Sequence, residues 1–384
     1  MSYRAFAFKM SMIILLILSC LTCSLNKEKG EIMVKVPVIH NPINPVAPPG
    51  IPSRLNVTED LIIVQRDGDE ELFSCFVRNV EADEEGNIYV LDCGNSHIKV
   101  FDSTGQFQRA IGGKKEFNQP TVMHLIDGKK IMILDFGNIH FYTSDGIALK
   151  RVSIGKYKHY TSRSFELDSR GNIVASLYHK GFNRMTLRRY IKGTLSKSDQ
   201  DFRAIKVIDA FEDSFSPPEY PAFIPGFRFK VRKDDSVVWA FTTEYELQIF
   251  DADAVPIKKI IKDYEPRKIT EEDKKEISND FRYEYGDMFF ATYDLAFPEN
   301  FPAMDFLATD DIGRIYIKTY QKDGKDRIYW DVFDPEGRYI TCFSLPKREL
   351  IYQITNNFIY TADRGTWKSS IRKSVVKRYR MEWE

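Results

Sequence analysis

The side chains in this sequence best able to do chemistry are scattered histidines, a recurring aspartate, a few cysteines and two clusters of aromatic residues. His97, His124, His140, His159 and His179 are spread over the chain. A metal site needs three or four ligands meeting at one point. His97 and His140 hold similar places in two neighbouring stretches, but no third ligand follows from the spacing, so neither a metal nor a cofactor is expected. Asp92, Asp135 and Asp363 each close an apolar run just before turn residues, where a carboxylate takes up backbone N–H groups. Beyond the N-terminal apolar segment the cysteines are Cys75, Cys93 and Cys342. Their odd number and the lack of a C-x-x-C pair argue against a disulfide framework or a metal knuckle. Free thiols are expected, with a Cys75–Cys93 bridge as the alternative. There is no Gly-x-Ser-x-Gly elbow, and Gly112-Gly113-Lys114 reads as a turn, so no catalytic residue is assigned. The aromatic clusters fall in Asp199 to Phe227 and Thr270 to Pro302, two long stretches that break the rhythm of the repeat and are read as insertions. From them Tyr220, Phe223, Phe281 and Tyr285 are the candidate ligand-binding residues, a wall offering stacking and cation–π contacts. The competing reading is that they pack over the fold.

The elements that would position these residues are short strands. Asp83-Glu84-Glu85-Gly86-Asn87 is a turn, Ile88 to Asp92 an apolar strand, Gly94-Asn95 a second turn, and His97 to Asp102 an alternating strand. After Ser103-Thr104-Gly105 comes a more polar strand, Gln106 to Ile111. Short apolar runs bounded by Gly, Asn and Asp are the signature of strands and hairpins. The unit returns at Ile131 to Gly146, Asp168 to Ile173, Ile249 to Asp251, Asp310 to Tyr316 with Val332 to Gly337, and Asn357 to Asp363. Repeats of about 40 residues with four strands each mean a propeller, because one blade cannot bury both of its faces alone. The fold expected is an all-β, six-bladed β-propeller over 56–384. Leu61 to Val64 should complete the last blade. Thr270-Glu271-Glu272-Asp273 resembles a capping box. Ile277, Phe281, Tyr285, Met288 and Phe289 share one helical face. A helical insertion over about 270–302, between blades 4 and 5, is therefore expected.

Asp83-x-x-Gly-Asn-Ile-Tyr-Val-x-Asp followed by Asn95-x-x-Ile-x-Val-Phe-Asp-x-x-Gly105 is similar to the NHL repeat. With the arm Val38-Ile39-His40-Asn41-Pro42 and the unit Phe333-Asp334-x-x-Gly337, the chain resembles the bacterial six-bladed β-propeller lipoproteins. That resemblance implies a fold and a location, and it supplies no catalytic residues.

The N-terminus gives the location independently. Arg4 and Lys9 precede an apolar run, Met10 to Leu18, broken only by Ser11. It is shorter than the roughly 20 residues of a membrane span and has the form of a secretory signal. Ile17-Leu18-Ser19-Cys20 resembles the bacterial lipobox, so 1–19 is the expected signal peptide and Cys20 the lipidation site, with Cys23 a poorer fit. Residues 20–55 are read as a tether and a proline-rich arm that serves as spacer or wrapping segment. The chain should be exported and lipid-anchored to the cell envelope. Leu21, rather than Asp, favours the outer membrane. Equal numbers of basic and acidic residues, 55 each, give no field that would draw nucleic acid. The function expected is an envelope-anchored binding or scaffold protein for a glycan, peptide or protein, with a propeller enzyme or a structural subunit of an envelope complex as alternatives.

Overall fold

The computed structural model describes residues 36–64, 73, 77–154, 161–324, 326–363 and 374–384. Cys20, Cys23, Cys75 and His159 lie outside the described residues. Among those described, no helix is long and apolar enough to cross a membrane.

The strands form six antiparallel four-stranded sheets, one per sequence repeat. Blade 1 spans 77–112, blade 2 120–153, blade 3 161–215, blade 4 227–262, blade 5 306–346 and blade 6 349–383. The first strand of each blade is innermost. Each touches the first strand of the next, and Glu349–Thr355 of blade 6 meets Val77–Ala82 of blade 1, so the ring is closed. The core lies between blades. Val238, Leu247, Ile249 and Ile260 of blade 4, for example, pack on Leu307, Ile315, Ile317 and Phe333 of blade 5, each such side chain stabilising by about 1.5–3 kcal/mol.

Two turn motifs explain why the repeats fold this way. In the turn after the first strand, one Asp83 carboxylate oxygen accepts the N–H groups of Glu85 and Asn87 at 3.1 and 2.8 Å. Asp168 and Asp310 do the same for Asn172 and Arg314. In the turn before the outer strand, Asp102 holds the N–H groups of Thr104 and Gln106. The glycine there, Gly105 or Gly337, has φ of 84° or 93° and presses on the outer strand of the preceding blade. A Cβ at Gly337 would stand 2.4 Å from Ile260. Only glycine accepts both the left-handed backbone and the close approach.

Closure of the ring uses the N-terminal strand, as expected. It is longer than the four residues the sequence singled out: Leu55–Val64 pairs antiparallel with Val375–Trp383 as the outer strand of blade 6. The arm before it wraps the ring. Val38–Asn41 adds a parallel fifth strand to Pro256–Lys262 of blade 4. Asn41 then accepts the N–H of Tyr339 and donates to the carbonyl of Gly337 in blade 5, Val46 N–H donates to the Tyr339 carbonyl, and Ser53 and Arg54 donate to the carbonyl of Glu384. The strap therefore ties blades 4, 5 and 6. Pro37–Glu384 forms one compact unit that contains all six blades, the closing strand and the strap.

Two expectations need correction. Most of Asp199 to Phe227 is regular structure: residues 199–203 are a turn and Ala204–Phe215 is the outer strand of blade 3. Its apolar residues Ile205 and Val207 stand exposed at 58% and 56%, so the sequence pattern of a half-buried strand is lost there. Only the connection after Phe215 is irregular. The expected single helical face is also interrupted. Helix α1, Glu271–Tyr285, has the anticipated capping box of Thr270 with Asp273. It stops at Gly286, whose φ is 75°, and Met288 and Phe289 belong to the separate turn of helix α2, Asp287–Phe290.

Candidate functional site

Each inter-blade connection joins an outermost strand to the next innermost one, so all of them emerge on the same side of the ring. On that side the connections before blades 4 and 5 meet. Glu219–Pro221 pairs in parallel with Asp294–Ala296, and the aromatic residues of both stretches gather around them. Tyr220 lies 6.3 Å from Phe281, 5.1 Å from Phe289 and 5.5 Å from Tyr293, ring centre to ring centre, and Phe281 lies 5.5 Å from Tyr285. Three of the four candidate residues, Tyr220, Phe281 and Tyr285, thus form one cluster. Phe223 belongs to another, against Phe301 at 5.4 Å and Tyr320 at 5.9 Å. Tyr220, Phe223 and Phe281 are half-buried and Tyr285 is exposed.

Phe223 points to the site. Tyr320, stacked on Phe301 at 4.7 Å, lines a cleft of about 240 Å³ in the wedge between blades 4 and 5. The pleat of blade 5 builds its inner wall. In Arg327–Phe333 the side chains alternate. Trp330 and Val332 enter the core against blade 6, which turns Tyr329 and Asp331 toward blade 4 and the cleft. The outer strand of blade 4 delivers Lys262 at its end. The long connection contributes Tyr264, Glu265, Arg267 and Pro302, and the strap contributes Ile43.

The floor is a buried polar cluster. Asp331 accepts the hydroxyls of Tyr245 and Tyr339 at 2.5 and 2.8 Å and pairs with Lys262 at 3.4 Å. The Lys262 ammonium also lies 5.0 and 4.6 Å from the centres of the two tyrosine rings. Burial, reinforced by the Asp331 charge, raises both phenols well above their ordinary range. They stay protonated and act as donors, not as bases. Burial also raises the Cys342 thiol beside them, which opposes the thiolate a nucleophile needs.

The rim is tied to helix α1. Arg267 lies 4.3 Å from the ring centre of Phe301 and donates two bonds to Asp273, at 2.7 and 2.6 Å. Asp273 also takes Lys322 at 3.1 Å and caps the helix through Thr270. Although burial opposes ionisation, the bonds from Arg267, Thr270 and Lys322 hold this carboxyl far below the usual range. One carboxylate therefore fixes the helix, the cleft rim and the second strand of blade 5.

A second cluster lies on the axis, where innermost strands meet. His124 of blade 2 pairs with Glu81 of blade 1 at 3.1 Å through Nδ1, while its Nε2 meets the Phe165 carbonyl of blade 3. Burial alone would favour neutral imidazole, but the carboxylates of Glu81 and Glu166 outweigh it and raise His124 to about 9. Glu166 is in turn paired with Lys230 of blade 4 at 2.5 Å. These groups satisfy one another across four blades. Among the described residues no three His, Cys, Asp or Glu side chains could hold a metal ion. Of the remaining residues singled out in the sequence, Asp92 accepts the Asn95 N–H in its turn, Asp135 accepts the Phe136 N–H in its turn and the N–H groups of Asn118 and Gln119 from the connection before blade 2, and Cys93 is a free, half-buried thiol.

Sequence reasoning misses the cleft floor. A signal exists: Asp331 interrupts the apolar run Ile328-Tyr329-Trp330-Asp331-Val332-Phe333, and a buried acid in a strand calls for partners. Nothing local says that those partners are Tyr245 and Lys262.

No family model matches the sequence, and no curated protein matches it. Solved structures are similar in shape. A member of the DUF4221 family from Bacteroides vulgatus superposes with a TM-score of 0.49 at 9% identity, over 87% of this chain and 100% of that one. A calcium-binding protein, regucalcin, from Agrobacterium tumefaciens gives 0.47 at 10% identity, over 89% and 96%. A streptogramin B lyase gives 0.45 at 7% identity, over 86% and 98%. At these identities the likeness is one of fold alone.

Proposed function

We propose that this chain is an exported binding protein, anchored by a lipid on Cys20, whose ligand occupies the wedge cleft between blades 4 and 5. The observation that carries the reading is the chemistry of the cleft wall. Tyr264, Tyr320 and Tyr329 offer flat apolar rings with hydroxyl ends, and Glu265, Arg267 and Gln321 offer charge and amide partners beside them. That combination suits a polar ring or a short chain of mixed character, namely one sugar unit of a glycan or one residue of a peptide. A volume of about 240 Å³ has room for such a group. The tyrosines of the floor are held as hydrogen-bond donors and the nearby thiol is held protonated, which supports recognition ahead of turnover. The NHL-like repeats and the lipobox-like Ser19-Cys20 support the envelope location.

The test is a binding screen of glycans and short peptides against the purified protein, followed by calorimetry. Tyr264→Ala and Tyr329→Ala should each weaken binding about tenfold, which is about 1.4 kcal/mol, in protein that remains folded by circular dichroism. Wild-type affinity in both variants would place the ligand elsewhere. Conversion of a bound ligand to product would replace this reading with that of a propeller enzyme. Loss of fatty-acid labelling in Cys20→Ala is the expectation for the anchor.

A further inference from the structure

Blade 3 differs from the others in the length of its middle hairpin. Ile173–Asn183 and Arg188–Ser198 are 11-residue strands, against five residues each for Ile88–Asp92 and His97–Phe101 in blade 1. The ladder remains paired to its end, where Phe182 faces Arg189 and Asn183 faces Arg188. The extra length carries the hairpin about 20 Å beyond a standard blade, at roughly 3.3 Å per residue.

The projection is built to be firm. The Tyr190 ring covers Gly181 on the neighbouring strand so closely that a Cβ there would lie 2.3 Å from it. The Asn183 side chain accepts the N–H groups of Met185 and Thr186 at 3.0 and 3.2 Å, fixing the tip. At this fixed tip Met185 is 94% exposed, Leu187 67% and Phe182 49%. The corresponding turn of blade 2 adds Phe136, 64% exposed.

The hairpin itself carries charge of one sign. From Ser169 to Ser198 the sequence contains no Asp or Glu, and the projecting half of the hairpin carries Lys180, Arg184, Arg188, Arg189 and Lys192, while Arg170 and Lys197 pair with Asp168 at its base. The acids nearest in the blade, Glu212 and Asp213, stand opposite Lys192 and Ile191, below the tip. Lys192 pairs with Glu212 at 2.9 Å. Arg188 donates to the Ser214 carbonyl and Arg189 lies over the Tyr293 ring, so both keep their charge.

We propose that this hairpin is a membrane-docking element that inserts Phe182, Met185 and Leu187 into the interface of an anionic bilayer, with the lysines and arginines of its stem at the headgroups. The shape favours a bilayer over a protein partner. A convex tip of a few apolar side chains needs a groove to bury itself in a protein, whereas a lipid interface closes around it. The basic tip and upper stem, whose two strands carry no acid of their own, complement anionic headgroups. Long cationic side chains can lie along the stem with their charges at the lipid phosphates. This contact is independent of the lipid on Cys20 and of the ligand in the cleft.

The experiment uses residues 37–384, which hold the complete ring and lack the lipidation site. Co-sedimentation is measured with vesicles of phosphatidylcholine alone and of phosphatidylcholine with about equal phosphatidylglycerol. The wild type should bind the anionic vesicles about tenfold more tightly than the neutral ones, and less tightly as salt is raised. Met185→Asp with Leu187→Asp should lose that binding by about tenfold with an unchanged melting temperature, since both side chains are exposed. Arg184→Ser with Arg188→Ser should remove the preference for anionic lipid. Equal binding by wild type and the Met185/Leu187 variant would overturn the proposal, as would failure of the wild type to bind either vesicle. Self-association of the wild type in solution, abolished by Met185→Asp, would overturn it in favour of a second copy as the partner.

Discussion

In the wedge between blades 1 and 2, as in the wedge between blades 4 and 5, a glycine in the turn before the outer strand presses on the preceding blade. Gly146 lies against Ile111 in the first, and Gly337 against Ile260 in the second. The wedges differ in the connection that leaves the outer strand. After blade 1 the chain needs only residues 113–119 to reach blade 2, and this short connection drops Phe117 into the gap. Phe117 is 1% exposed and meets His140 and Tyr142 edge-on at 5.4 and 5.6 Å. After blade 4 the chain takes residues 263–305, folds a helix on the way, and leaves the gap open as the cleft. Its depth is occupied by the polar cluster around Asp331, not by an aromatic plug. In this ring the wedge beneath the short connection is filled by an aromatic side chain, and the wedge beneath the long, rim-forming connection is left open as a cleft over a polar base.

The largest expected effect comes from unplugging the closed wedge. Phe117→Ala should cost about 3–5 kcal/mol in urea unfolding, because the cavity lies between rigid blades that cannot collapse into it. A loss below about 1 kcal/mol would mean that the blades relax, and the contrast between filled and open wedges would lose its force.

The next effect concerns pH. The folded-state value of His124, about 9, lies above the ordinary imidazole value of about 6.5. Its stabilisation is therefore fully present below about pH 6.5 and is lost as the pH rises through about 9, to the extent of at most about 3 kcal/mol. Unfolding measured from pH 6 to 10 should show this decline in the wild type and a flatter profile in His124→Gln. Hydrogen exchange should place the weakening at blades 1 to 3, where His124 bonds, and not at the open wedge. Matching pH profiles in the two proteins would remove His124 from the account.

A smaller effect is expected at the floor of the open wedge. Asp331→Asn keeps an acceptor for only one of the Tyr245 and Tyr339 hydroxyls, sets an amide N–H₂ against the other, and leaves Lys262 without its counter-charge, at a cost of about 2 kcal/mol. Because Asp331 supports the site from beneath, ligand affinity should fall as well. Unchanged stability would show that water enters the floor and solvates Lys262, making the open wedge wetter than the packing suggests.

How far each part is legible in the sequence depends on the range of the interactions behind it. Asp83 and Asp310 organise turns through N–H groups two and four residues away, and Asp168 through the one four away, so their pattern is visible in any one repeat. The capping box of Thr270 and Asp273 closes over three residues and is equally plain. Ala204–Phe215 is obscured because an outer strand at the rim of a ring keeps apolar side chains in water, where the alternating pattern carries little information. Among the aromatic residues, composition groups Tyr220, Phe281 and Tyr285, and these do meet. Composition also groups Phe223 with them, yet it supports the cleft wall instead, because its position depends on where the connection from blade 3 crosses blade 5.

The blade itself is written in the local sequence: its length, its turns, the glycines that let one blade press on the next, and the number of repeats that must close into a ring. These arise from local hydrogen bonds and backbone preference, each complete within a few residues. Which side chains share a wedge is decided only when the ring closes. Tyr245 and Asp331 stand 86 residues apart in sequence, and Asn41 and Tyr339 stand 298 apart. Their meeting requires the closed ring and the strap laid across it. A buried acid announces only that it needs donors. Which donors it receives is fixed by the geometry that brings the outer strand of one blade against the third and fourth strands of the next.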